Sequence, residues 1–395
     1  MSLKLIRNAT VLPFTASPNG PVDLTPQLAD VLVQDDRIVE VAPHIEAAAD
    51  EVFDADHHLL IPGFVDAHTH TTLGILEKCG YEALPYGESY LDADLKRGLD
   101  QTEWLSNGDW VALFRSLHDN WHGKAERLTL MLAPSAPQWV TPDLMHQIAE
   151  LSESLDLPIH THMLETKTQA VTGPEFYGPG NSVVSYAKRH GILTHRTAIA
   201  HGIWLTDRDV ELIAEAGATV VHNVVSNHRL CSGIAPIRQL MDAGVNIALG
   251  SDGMSSNDSF NMFDVLKMAG QVHSVTHPDY SRYPRARDVL KWGTYGGARS
   301  ALLQDQMSAI APGLKADCVL YDLNTTSFIP RGDLPIHLVY AEHGQSIRKI
   351  FINGQLVVED GSVLTVDESA LLRELQDLLA EYEPERAEST ARPSA

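Results

Sequence analysis

The chain changes rhythm twice. Its first 60 residues alternate apolar and polar positions in short runs, "LKLIRNATVL", "DVLVQDDRIVEVA" and "DEVFDADHHLLI". A period of two predicts half-buried strands, and Asp35 and Asp36 between two such runs predict a hairpin. The texture returns in "KADCVLYDL" and "IRKIFINGQLVVEDGSVL", where Asn353-Gly354 marks a tight turn. The two ends, residues 1–60 and 314–366, are expected to build one small β-sandwich together. Residues 61–313 would be inserted between them.

The middle pairs short apolar runs with amphipathic ones. "RLTLMLAP" precedes "TPDLMHQIAELSESL", "LPIHTH" precedes "NSVVSYAKRHG", and "RTAIAHG" precedes "TDRDVELIAEAG". "ATVVHN" then precedes "APIRQLMDAG", and "VNIALGSDG" precedes "SFNMFDVLKMAGQVHSV". Repeated strand–loop–helix units imply a parallel sheet or a (β/α) barrel. Thr141-Pro142 and Thr206-Asp207 are sensible helix starts, and Gly217 and Gly244 sensible stops. From Asp367 the tail reads as one amphipathic helix, "ESALLRELQDLLAEY", and "EPERAESTARPSA" after it as disordered.

Composition narrows the function. The 395 residues are 44% hydrophobic, enough for one large domain, a smaller one and a sizeable core. A formal net charge of −23 would repel a phosphate backbone, so nucleic acid is not an expected partner. Cys79, Cys231 and Cys318 lie far apart, which indicates neither a disulfide framework nor a thiolate zinc site. The start, "MSLKLIRNATVLPF", lacks the apolar core of a signal peptide, and no run approaches a membrane span. A cytoplasmic location is expected.

The chemistry gathers at the predicted strand ends, where a barrel keeps its active site. "GFVDAHTH" ends in His68 and His70. "LPIHTH" ends in His160 and His162, with Glu165 just beyond. "AIAHG", "TVVHN" and "NIALGSDG" bring His201, His222 and Asp252. Side chains two apart on a strand share a face, so His68 and His70 can grip one ion. Neutral imidazoles with a carboxylate suit zinc and related divalent metals. His162 and Asp252 are the natural further ligands. One His-x-His alone is a weak signal; the recurrence at strand ends carries the argument. His160 is read as a hydrogen-bonded residue one layer deeper than His162. His57, His58, His118, His122 and His190 are read as solvated, and His222 as either a substrate contact or a structural hydrogen bond.

"PGFVDAHTH", "HTHMLET", "AHGIWL", "HNVVSN", "GIAPIRQLMDAGVNIALGSDG" and "GLKADCVLYDL" together resemble the amidohydrolase superfamily. The resemblance is to its cytosine- and guanine-deaminase-like branch, which also holds methylthioadenosine/S-adenosylhomocysteine deaminases and triazine chlorohydrolases. It implies a distorted (β/α) barrel with a flanking β-sandwich and one divalent metal on His68, His70, His162 and Asp252. Zinc is expected there, with iron or manganese as alternatives. Glu165 would carry a proton to a ring nitrogen of the substrate, and His201 would orient the metal-bound hydroxide or the leaving group. A bound Zn²⁺ lowers the pKa of water from about 15.7 to about 7, and Asp252 can take the proton released.

The implied reaction removes an amino group from a purine, nucleoside, pterin or triazine heterocycle. A chlorohydrolase or cyclic-amide hydrolase would use the same site, and a non-catalytic, shortened scaffold is the rival outside enzymology. That rival comes from the segment between His70 and Arg127, which shows one helix pattern and no clear strand, so two βα units look missing or reduced. Ser135 also stands where many relatives carry a substrate-contacting histidine; Gln138 or Trp139 would take over. A homodimer or larger homo-oligomer is expected on family grounds.

Overall fold

A computed structural model describes residues 2–16, 20–70 and 106–390, with side chains as far as Leu379. In chain order the strands begin with β1 (Leu3–Val11), β2 (Gln27–Gln34), β3 (Arg37–Ala42), β4 (Glu51–Asp54) and β5 (His58–Pro62). The central ones are β6 (Thr69–His70), β7 (Ile159–Met163), β8 (Thr197–His201), β9 (Thr219–His222), β10 (Asn246–Leu249) and β11 (Asp252–Gly253). The last are β12 (Cys318–Asp322), β13 (Ile347–Ile352), β14 (Gln355–Glu359) and β15 (Ser362–Val363).

The two ends of the chain meet in one hydrogen-bonded sheet of nine strands. Its order is β15-β14-β13-β12-β5-β1-β2-β3, with β4 also paired to β1. The join is β5 against β12, antiparallel, with Leu60 opposite Leu320. Ile6, Val31, Ile38, Leu60, Leu320 and Phe351 form its apolar core. The Asn353-Gly354 turn has φ of 52° and 69°, the left-handed pair a tight hairpin needs. A Cβ on Gly354 would lie 1.9 Å from the Asp35 carbonyl oxygen, so glycine also permits the close approach of the two hairpins.

The middle of the chain forms a parallel arc, in the order β10-β9-β8-β7. At one end Leu132 bridges to Ile159. At the other the Ala67 N–H donates to the Leu249 carbonyl at 2.9 Å, and β6 pairs with β11. The strand expected in "RLTLMLAP" is reduced to that single bridge at Leu132, held to the start of β7 by Leu132 N–H to the Pro158 carbonyl at 2.9 Å and His160 N–H to the Leu132 carbonyl at 2.8 Å. The two βα units expected as missing fall mainly on residues 71–105, which lie outside the described residues. The helix pattern that follows is Asn107–Trp121, capped by Ser106.

Helices cover one face of the arc. Thr141 caps Pro142–Leu155, and Thr206 forms a capping box on Asp207–Ala216, which Gly217 ends at φ 69°. Met145, Ile148, Leu151, Leu212 and Ile213 from these helices pack with Ile199, Val220, Ile247 and Leu249 of the strands. The opposite strand face carries small residues, Ala198, Val221 and Ala248, clustered with Ala67. The C-terminal helix runs from Glu368 to Thr390, past the point where disorder was expected. No helix among the described residues is long and apolar enough to cross a membrane.

Candidate active site

Register decides which histidines can meet. Parallel neighbours put His162 level with Ala200, which is level with Val221 and then Ala248. His160 is level with Ala198, Thr219 and Asn246, one layer deeper on the same face. Strand parity alone would turn His201 toward the helices with Ile199. Its φ of 72° breaks the alternation and re-aims it. Asp252 is likewise left-handed at φ 64°, and Leu164, just before Glu165, at φ 53°. Such backbone costs of order 1–3 kcal/mol per residue and collects at functional sites.

The result is one compact cluster at the strand ends. The His68 and His70 Nε2 atoms lie 3.4 Å and 3.3 Å from Asp252 Oδ1. His162 sits edge-on to His68 at 4.8 Å between ring centroids and stacks on His201 at 5.5 Å. His201 Nε2 lies 3.9 Å from both Glu165 Oε1 and Asp252 Oδ2. His68, His70 and Asp252 form one group whose candidate ligand atoms fall within 4.8 Å of one another, and His68, His162 and His201 form a second.

Outer partners orient these rings. The His162 Nδ1–H donates to the Ser135 carbonyl at 2.6 Å, and the His201 Nδ1–H to Asn227 Oδ1 at 2.9 Å. His68 Nδ1 lies 2.8 Å from His160 Nε2. The Ser226 hydroxyl donates to Asp252 Oδ2 at 2.5 Å. Asp66 ties the two halves together, accepting from the Ser251 N–H at 2.9 Å and the His68 N–H at 3.3 Å. Each Nδ1 so engaged leaves an Nε2 for the cluster. His68 Nε2 is buried with no hydrogen-bond partner, the signature of a ligand atom awaiting its ion. Nitrogen and carboxylate donors in this arrangement fit a divalent metal such as zinc.

Charge states agree with that fit. Burial, then the neighbouring His68 and His201, lowers His162 to about 3. Burial also lowers His68, against the pull of Asp252. Neutral imidazoles are the form a metal binds. Burial would raise Asp252, but the His68 and His70 imidazoles against it outweigh that and hold the carboxylate well below its usual range. Burial raises Glu165, and the proximity of Asp252 adds to it while His201 opposes it.

The other residues singled out in the sequence lie as follows. Gln138 and Trp139 form the short turn Pro137–Trp139 just after Ser135. Gln138 Nε2 is buried with no hydrogen-bond partner, and Trp139 is 47% exposed. His222 shares the helix-side face of Val220 and Leu249, and its Nε2 lies 3.2 Å from that of buried His273. His57 and His122 are exposed, and His58, His118 and His190 half-buried. Asp66, Ser226, Asn227 and His273 were not singled out in the sequence. The only signal for Ser226 and Asn227 was their place in "HNVVSN", directly after a strand end.

The pattern of the amidohydrolase family matches residues 109–357. The chain belongs to that family. This amidohydrolase is 29% identical over 402 residues to the 5'-deoxyadenosine deaminase of Methanosarcina barkeri, a match covering 88% of this chain and 91% of that one. It is 30% identical over 433 residues to the 5-methylthioadenosine/S-adenosylhomocysteine deaminase of Desulforudis audaxviator, covering 94% and 97%. An adenosine deaminase from Xanthomonas campestris, solved with bound zinc, superposes at a TM-score of 0.84 with 24% identity, covering 96% of this chain and 98% of that one. The branch expected from the motifs is therefore the one found, and the chain is a hydrolase of carbon–nitrogen bonds other than peptide bonds.

Proposed function

We propose that this amidohydrolase is a metal-dependent deaminase that removes the 6-amino group from an adenosine-type nucleoside altered at its 5' position. The names of the two relatives cited above support the substrate class. The observation that carries the chemistry is Glu165: a buried carboxyl with a raised pKa, 3.9 Å from His201 Nε2 and beside the His68–His70–Asp252 group. A carboxyl whose grip on a proton is strengthened by burial, placed beside that group, suits ring-nitrogen protonation.

In this reading His68, His70, His162 and Asp252 would hold one divalent ion at the strand ends of a (β/α) barrel. The ion supplies an activated water at neutral pH. Asp252, ionised, accepts the proton of the attacking water. His201, whose Nδ1–H is committed to Asn227, presents an acceptor Nε2 that orients that water. Glu165 gives its proton to the ring nitrogen next to the attacked carbon; Asp252 passes the proton it took from water to the amino group, which leaves as ammonia, and the remaining hydroxyl proton returns to Glu165 as the carbonyl forms. Gln138 and Trp139 contact the heterocycle from the turn after Ser135. His222, paired with His273, stays outside these contacts.

The test is ammonia release by zinc-loaded protein from 5'-deoxyadenosine, 5-methylthioadenosine, S-adenosylhomocysteine and adenosine, with guanine and a chlorinated triazine alongside. Release from the 5'-altered nucleosides above adenosine is expected. Chloride from the triazine with no ammonia from any purine would replace this reading with the chlorohydrolase one.

A further inference from the structure

His160 is not merely a filled position below the site. It lies one layer beneath His162 on the inward face of β7 and reaches across the arc to a residue 92 positions away. Its Nε2 meets His68 Nδ1 at 2.8 Å, with the two rings within 10° of parallel. One proton sits between these nitrogens, and its position sets what the far side of His68 can do. With the proton on His68 Nδ1, His160 Nε2 accepts, and His68 Nε2 carries a lone pair into the cluster. With the proton on His160 Nε2, the neutral His68 carries its hydrogen on Nε2 and that atom cannot ligate. His68 Nε2 is buried without a hydrogen bond, lies 3.4 Å from Asp252 Oδ1, and belongs to both groups of candidate ligands.

We propose that His160 is a positioning residue that holds His68 in its Nδ1–H tautomer and so prepares the metal site before any ion arrives. The proposal rests on the metal-site reading above. His162 has the same arrangement with a backbone carbonyl, the Ser135 oxygen at 2.6 Å, which can only accept. His160 plays that part for His68 with a side chain, and a side chain can be replaced. Outer partners of this type typically contribute ~10–100-fold in metal affinity.

The experiment measures Zn²⁺ affinity by competition with a chromogenic chelator, on wild type, His160→Leu and His160→Gln, each stripped of metal. Thermal melting of the metal-free forms runs in parallel. Leucine fills the space but leaves the His68 N–H unpartnered. Glutamine places an acceptor oxygen near the position of His Nε2. The expected result is a 10–100-fold loss for His160→Leu and a loss of about threefold or less for His160→Gln. Equal affinities in all three, or equal losses in both variants, would overturn the proposal. Wild type that takes up no zinc would instead sink the metal-site reading, which separates the two failures. Should His160→Leu not fold, nitrogen-15 shifts of His68 in the zinc-loaded wild type decide. A protonated Nδ1 bonded to His160 is required, and an unprotonated Nδ1 overturns the idea.

Discussion

Two buried aspartates show how differently the two halves of this molecule treat polar groups. Asp30, in the nine-stranded sheet, is 2% exposed and accepts backbone N–H donors from Asn8 at 2.9 Å and Ile45 at 3.0 Å. Asp252, at the end of the arc, is 5% exposed and faces two imidazoles and a hydroxyl from a left-handed backbone. The first carboxylate is tied to main chain that cannot change identity, and it pins a loop to a strand. The second is held among titratable side chains, one of which has a buried nitrogen with nothing to bond. An unmet nitrogen beside strained backbone is tolerated at the strand ends, where a bound ligand would relieve it.

The comparison breaks most visibly if the site end proves to be ordinary structure. His162→Ala is expected to remove most bound metal and take turnover down by more than the ~10²–10⁴-fold of a lost acid–base group, measured by elemental analysis and ammonia release. Metal content unchanged from wild type would refute the ligand role. Glu165→Gln should keep the metal and lose ~10²–10⁴-fold in turnover. Metal loss equal to that of His162→Ala would mean that the carboxyl is a ligand rather than a proton carrier.

The sheet should behave in the opposite way. Leu60, fully buried between β1 and β12, should cost about 2–5 kcal/mol when cut to alanine, with zinc stoichiometry unchanged in the folded protein. Denaturant midpoints and metal content together check this, and metal loss in folded Leu60→Ala would show that the two halves are coupled.

A smaller effect tests the histidines behind the site. His273 is held at about 4 by burial, with His228 adding to it, against about 6.5 in an unfolded chain. The unfolded state therefore binds the proton first, and stability is lost as pH falls from about 6.5 toward about 4. His273→Gln should flatten that slope by roughly 1–2 kcal/mol between neutral pH and pH about 5, read from urea midpoints. An unchanged slope would put the acid sensitivity elsewhere. Smallest of all, Leu372→Ser on the C-terminal helix, at a position 61% exposed, should stay within about 0.5 kcal/mol. A larger loss would reveal a packed partner for that helix.

Much of this was legible in the sequence because the signals are local. Alternation in "LKLIRNATVL" specified β1, Asn353-Gly354 specified a hairpin, and Thr206-Asp207 specified a helix start. The candidate ligands were legible because each ends a recognisable apolar run. The expected strand at "RLTLMLAP" is found only as a short parallel bridge from Leu132 to β7. The backbone is helical as far as Thr390, past the start of the tail expected to be disordered.

By itself, then, the sequence determined which residues could do chemistry: side-chain type is fixed by the code, and strand-end position by short-range pattern. The tertiary structure decided which nitrogen of each ring faces the site and which residue holds it there. His68 and His160 are 92 residues apart, His222 and His273 51, and Ser226 and Asp252 26. No local pattern encodes such pairs. They form only when parallel register stacks the strands and left-handed turns at His201 and Asp252 swing those side chains inward.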